Sequence, residues 1–146
     1  GLRGWPMIGN TKQNQAEDRL MSVGKEVGEF SFTSTGVTIS STANGGVSQQ
    51  VNMEGTATGF GDVIGTLTFY ADSPGADGGF VTWAGSAYLD NGDASGGLGR
   101  GVFEKSGKHS WRVRAVIQIT DGPLLLTDGE IALEGRSYSG KIYQWE

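Results

Sequence analysis

His109, Gln49 and Glu104 are the side chains whose type and place in the sequence give this chain a route to chemistry. His109 is in phase with Trp111 and Ile117 of an alternating segment. That phase turns it inward where the segment begins, close to a rim, and a lone imidazole there either shuttles a proton or bonds to backbone. Gln49 is in phase with Val51 and Met53 and offers its amide to a ligand or caps a polar group in the core. Glu104 is in phase with Val102, and Glu130 and Glu134 share a face with Ala132. A carboxyl of this set that turned inward would lose hydration, rise in pKa and become a candidate acid or base. Turned outward, Glu130 and Glu134 meet Arg112 and Arg114 in a weak cross-strand ladder, which is the expected arrangement.

Binding is the stronger signal. Trp83, Trp111, Met53 and Phe69, with Gln49 and His109, form the expected ligand-lining set. Tyr70, Tyr88, Tyr143, Trp145 and Phe103 add further rings, more than an eight-stranded interior can hold. Tyrosine and tryptophan couple a large apolar body to one hydrogen-bonding tip, which suits pockets and interfaces alike. Tyr70, Tyr88 and Phe80 fall on the face opposite the main apolar residues, so a homo-oligomer, dimer or trimer, is expected.

Several chemistries are excluded by what the sequence lacks. There is one histidine and no cysteine, which removes multi-histidine and thiolate metal sites, disulfides, a thiolate nucleophile and a haem with two axial histidines. Gly97-Leu98-Gly99-Arg100-Gly101 is glycine-rich, but no helix follows to receive a phosphate. Asp90-Asn91-Gly92-Asp93 has the oxygens of a calcium loop without the ligand spacing or terminal glutamate. The Gly-x-Ser-x-Gly elbow of hydrolases is missing. No metal and no cofactor are expected. A formal net charge of -5 argues against nucleic acid and anionic membrane surfaces, both of which attract clustered Lys and Arg.

The elements that must position these residues are strands. Glycine supplies 26 of 146 residues and closes off nearly every apolar stretch without forming a low-complexity run. From about Val27 the chain alternates apolar and polar residues, the period of a strand with one buried face. Eight segments are predicted. The first, around 29–42, carries Phe30, Phe32, Val37 and Ile39 with a bulge at Gly36, and Asn44-Gly45-Gly46 turns into the second, which sets Val47, Val51, Met53 and Ala57 on one face. Val63, Leu67 and Phe69 mark the third, and Val81, Trp83, Ala87 and Leu89 the fourth. A loop over 90–99 precedes a short fifth strand near 101–104. Trp111, Val113, Ala115, Ile117 and Ile119 define the sixth, 124–133 the seventh, and, after a turn over 136–140, 141–145 the last. Short connections make these antiparallel neighbours, since a parallel crossover needs a dozen or more residues.

The expected fold is therefore all-β, a single eight-stranded antiparallel meander barrel over residues 26–146, because closure removes both sticky edges. Residues 1–25 read as a short irregular N-terminal arm, in which Met21 is a candidate start. The arm lacks the ~7–15 apolar residues of a secretory signal, and no segment reaches the ~20 of a membrane span. A cytoplasmic location is the expectation.

His109-Ser110-Trp111-Arg112-Val113-Arg114 on an interior strand, Gly-rich turns, and a closing Gly-Glu-Ile-Ala-Leu-Glu-Gly at 129–135 resemble the allene oxide cyclase-like barrels. Calycins share the same strand pattern. The resemblance implies a closed barrel with a cavity and, at its furthest, a cofactor-independent isomerase or cyclase; the cavity cysteine of the plant cyclases has no counterpart here. Three functions follow as expectations: a pocket for a small apolar or amphipathic molecule, such a cyclase, or a structural protein whose barrel is filled solid.

Overall fold

A computed structural model describes residues 24–145; the expected arm and Met21 fall outside them, except that Gly24 and Lys25 already belong to the first strand. Eight strands run β1 Gly24–Ser41, β2 Val47–Ala57, β3 Gly61–Ala71, β4 Gly78–Tyr88, β5 Ala94–Gly107, β6 Ser110–Ile119, β7 Leu124–Ala132 and β8 Ser137–Trp145. Each pairs antiparallel with the next, and β8 pairs with β1 to close the barrel. One end carries the turns 42–46, 72–77, 108–109 and 133–136; the other carries 58–60, 89–93 and 120–123. The first is the upper end of the barrel and the second the lower end.

Alternation sorts the side chains. Phe30, Phe32, Met53, Leu67, Val81, Phe103, Val113 and Ile142 are buried inside, while Ser31, Thr56, Thr66 and Arg112 on the same strands face out. The register of β1 against β2 slips between Ser34 and Gly36. That is the bulge expected at Gly36, and it keeps Val37 and Ile39 on the inner face, opposite Val51 and Gln49.

Two strands depart from the sequence reading. β5 begins at Ala94, not near Gly101, and the glycine-rich stretch is strand. Gly97, Gly99 and Gly101 point inward; Ile117 and Ala115 of β6 leave no room for a Cβ at Gly99 and Gly101, and a Cβ at Gly97 would crowd Ile117 at 3.0 Å. Glycine there marks crowding, not a loop. Likewise β8 begins at Ser137, so the expected turn over 136–140 shrinks to a single tight turn at Glu134–Arg136, and β7 ends one residue short of Leu133.

Trp83 explains a glycine on its own strand and one on β3. A Cβ at Gly65 would lie 2.5 Å from Trp83 Cη2, and one at Gly85 2.6 Å from Trp83 Cζ2. The indole lies flat over both backbones and stacks on Phe32 with ring centroids 5.6 Å apart and planes 5° from parallel.

Candidate functional site

The interior is divided. Leu67, Val81 and Val113 are fully buried at the waist, and Phe69 meets Phe103 edge-on at 5.0 Å just above. Val81 and Val113 line neither of the two cavities on either side, and those cavities have no lining residue in common.

The lower cavity has a volume of about 90 Å³ and a wall of Phe30, Phe32, Trp83, Leu67, Ile117 and Ile142. Its polar groups include Ser95, Thr127 and Tyr138. Tyr138 is buried against Phe30, at 4.8 Å between ring centroids. Burial pushes its phenol far above the ordinary tyrosine range, and its hydrogen bond with Thr127 opposes that shift only in part. A phenol held neutral in this way is a hydrogen-bonding post, not a proton donor at neutral pH. Tyr138 escapes the sequence reading because Arg136-Ser137-Tyr138-Ser139-Gly140 looks like a turn. The signal that finds it is the run Tyr138, Gly140, Ile142 alternating with Ser139 and Lys141.

The upper cavity is larger, about 440 Å³, and opens at the hairpin end. Val37, Ile39, Val47 and Gln49 from β1 and β2, Phe69 and Ala71 from β3, Phe103 from β5, and Trp111 and Ile131 from β6 and β7 form its wall. The segment Ser73-Pro74-Gly75-Ala76 and the residues Leu133 and Arg136 border its mouth. Val37 and Ile39 face inward yet stay 50% and 62% exposed. Among the described residues no aspartate or glutamate lines this cavity.

The expected site residues scatter accordingly. Gln49, Phe69 and Trp111 line the upper cavity, Trp83 lines the lower one, and Met53 is core that borders neither. His109 corrects the reading made for it. It does not open β6 but sits exposed in the turn before it, with φ 54°, and lines neither cavity. The left-handed turn breaks the alternation that would have carried it inward; its carbonyl accepts from the Leu133 N–H at 2.9 Å.

Glu104 faces outward and accepts from Arg114 Nη2 at 2.7 Å. Glu130 also faces out, but its partner is the Ser106 hydroxyl at 2.6 Å. The ladder expected with Glu130 and Glu134 is replaced by a two-pronged bond from Arg112 to Asp128, at 2.9 and 2.6 Å. In-register pairing sets Arg112 beside Glu130; the guanidinium instead reaches diagonally, where both its N–H groups find one carboxylate.

The outer wall carries the second aromatic group. Tyr70, Phe80 and Val102 are cross-strand neighbours on β3, β4 and β5. Phe80 and, four residues further along the outer face beside Ala84, Leu98 are the most exposed large apolar residues of the described chain, at 69% and 68%. Among the described residues no cluster of metal-ligating side chains occurs, and no helix is long and apolar enough to cross a membrane. No protein-family model, curated protein or solved structure matches the chain. What stands of the resemblance to allene oxide cyclase-like proteins is the closed eight-stranded antiparallel barrel.

Proposed function

We propose that the protein binds a small apolar or amphipathic molecule in the upper cavity. One observation carries this reading: Val37 and Ile39 point into the barrel but are left wet by a 440 Å³ hollow. Fully burying such a side chain is worth about 1.5–3 kcal/mol, and the fold forgoes much of that at both positions. A ligand would recover it. The volume lies within the ~300–1,000 Å³ of small-molecule pockets, and Trp111, Phe69 and Phe103 give it the aromatic wall such pockets favour.

The cyclase alternative gains no support from the side chains present. The groups named for it, His109 and Glu104, lie outside both cavities, and Gln49 has no proton to exchange at neutral pH. A barrel filled solid fits the waist but not the upper end.

The neutral fluorophore N-phenyl-1-naphthylamine tests the reading. Wild type should bind it saturably and pass Trp111 emission to it. Ala71→Trp, which fills the upper cavity from the end of β3, should abolish binding while leaving the melting temperature nearly unchanged. No saturable binding by wild type, or undiminished binding by the filled variant, would overturn the proposal.

The outer wall suggests a second copy of this chain as partner, since contiguous exposed apolar surface on the outside of a barrel fits a contact between subunits. Wild type should then sediment faster than a single chain, and Phe80→Glu as one.

A further inference from the structure

We infer that the upper cavity selects compact organic monoanions, a carboxylate on an aromatic body, and that Arg136 is the residue that selects them. The inference rests on the binding proposal above. Among the described residues Arg136 is the only cationic side chain lining either interior cavity. It is held at the mouth by its own turn: its φ is 51°, the preceding Gly135 has φ 78°, and Nη1 donates to the Leu133 carbonyl at 2.6 Å. Among the described residues its guanidinium joins no ion pair, whereas Arg112, Arg114 and Lys141 each have a carboxylate partner. The cavity beneath it has no acidic lining residue among the described residues, although acidic residues outnumber Lys and Arg by 16 to 11 in the chain.

An arginine with free N–H groups above an apolar, acid-free hollow matches a ligand with one planar anionic head and an apolar body. A dianionic phosphate fits less well: a single guanidinium would leave charge uncompensated beside a protein of net charge -5. The body is short because the waist closes the barrel below Phe69 and Phe103. A long straight chain has nowhere to run, and Trp111 offers a flat ring a face to lie on.

Calorimetric titration with 2-naphthoate and its neutral analogue 2-naphthylmethanol tests this, in wild type, Arg136→Gln and Arg136→Lys. Wild type should bind naphthoate about tenfold more tightly than the alcohol, the discrimination of one charge-assisted hydrogen bond. Arg136→Gln should erase the preference while keeping its affinity for the alcohol, which also reports that the turn and cavity survive. Arg136→Lys should retain part of it. Equal binding of acid and alcohol by wild type, or an undiminished preference in Arg136→Gln, overturns the inference and leaves the binding proposal standing. Binding of neither compound overturns both.

Discussion

The two ends of the barrel are built from the same alternation and end in opposite states. Below the waist, Phe30, Phe32, Trp83 and Tyr138 press ring against ring, and what remains is a void of about 90 Å³. Above it, inward residues of the same apolar character stand apart around about 440 Å³. The difference lies in what faces each ring. Gly65 and Gly85 let the Trp83 indole lie down across the lower interior, whereas at the upper end Val37, Ile39, Val47 and Gln49, with Trp111, line a hollow that stays open. Packing at one end supplies stability; its incompleteness at the other leaves room for function.

Replacing the tryptophan of each end should show the contrast most sharply. Trp83→Ala should cost about 3 kcal/mol of unfolding free energy, the low end of the usual range for a large ring, because Trp83 is only half-buried yet stacks on Phe32 and lies against Gly65 and Gly85. Trp111→Ala, equally half-buried but facing the larger upper cavity, should cost about 1–2 kcal/mol yet lose most of the naphthylamine affinity. Denaturant titration and fluorescence binding of both variants check this. Similar costs at both sites would erase the distinction between the ends.

Alkaline pH should probe the lower end alone. Burial raises the Tyr138 phenol, so above the ordinary tyrosine pKa of about 10 the unfolded chain releases a proton that the folded chain keeps. Stability should therefore be constant through neutral pH and fall above about pH 10, by up to about 1.4 kcal/mol per pH unit. In Tyr138→Phe this contribution to the fall should be absent. The check is denaturant unfolding at a series of pH values, and a slope shared by both proteins would detach Tyr138 from it.

The smallest effect belongs to Ile39→Ser. Because Ile39 is 62% exposed, stability should move by no more than about 0.5 kcal/mol. Naphthylamine affinity should nonetheless fall about fivefold, corresponding to about 1 kcal/mol of contact with the ligand. A loss of stability without a loss of affinity would show that this wall serves the fold rather than a ligand.

The strands that alternate cleanly were legible from residues alone. β2, β3, β4 and β6 occupy the expected segments, and Gly45 takes the positive φ, 82°, that its turn requires. What stayed hidden depends on neighbours that no local pattern contains. Gly97 to Gly101 reads as loop until Ile117 and Ala115 are seen to occupy the space in front of it. Ser137 to Gly140 reads as turn until Tyr138 is found opposite Phe32 and Ile131. Arg136 gave no signal, since its place at a cavity mouth follows from a two-residue excursion into left-handed backbone. His109 was misplaced for a related reason: its own φ of 54° interrupts the strand rhythm just before β6 begins at Ser110.

The closed waist at Val81 and Val113 also sets the traffic of the molecule. A cylinder stoppered halfway along its length is two blind cups back to back, not a conduit, and a ligand bound as proposed in the upper cup would leave by the door it came through. Arrival and departure then share one threshold, the rim that Arg136 and the segment Ser73 to Ala76 guard. A change at that rim should slow or hasten both directions together, and nothing done to the floor of the lower cup should be felt by the guest above.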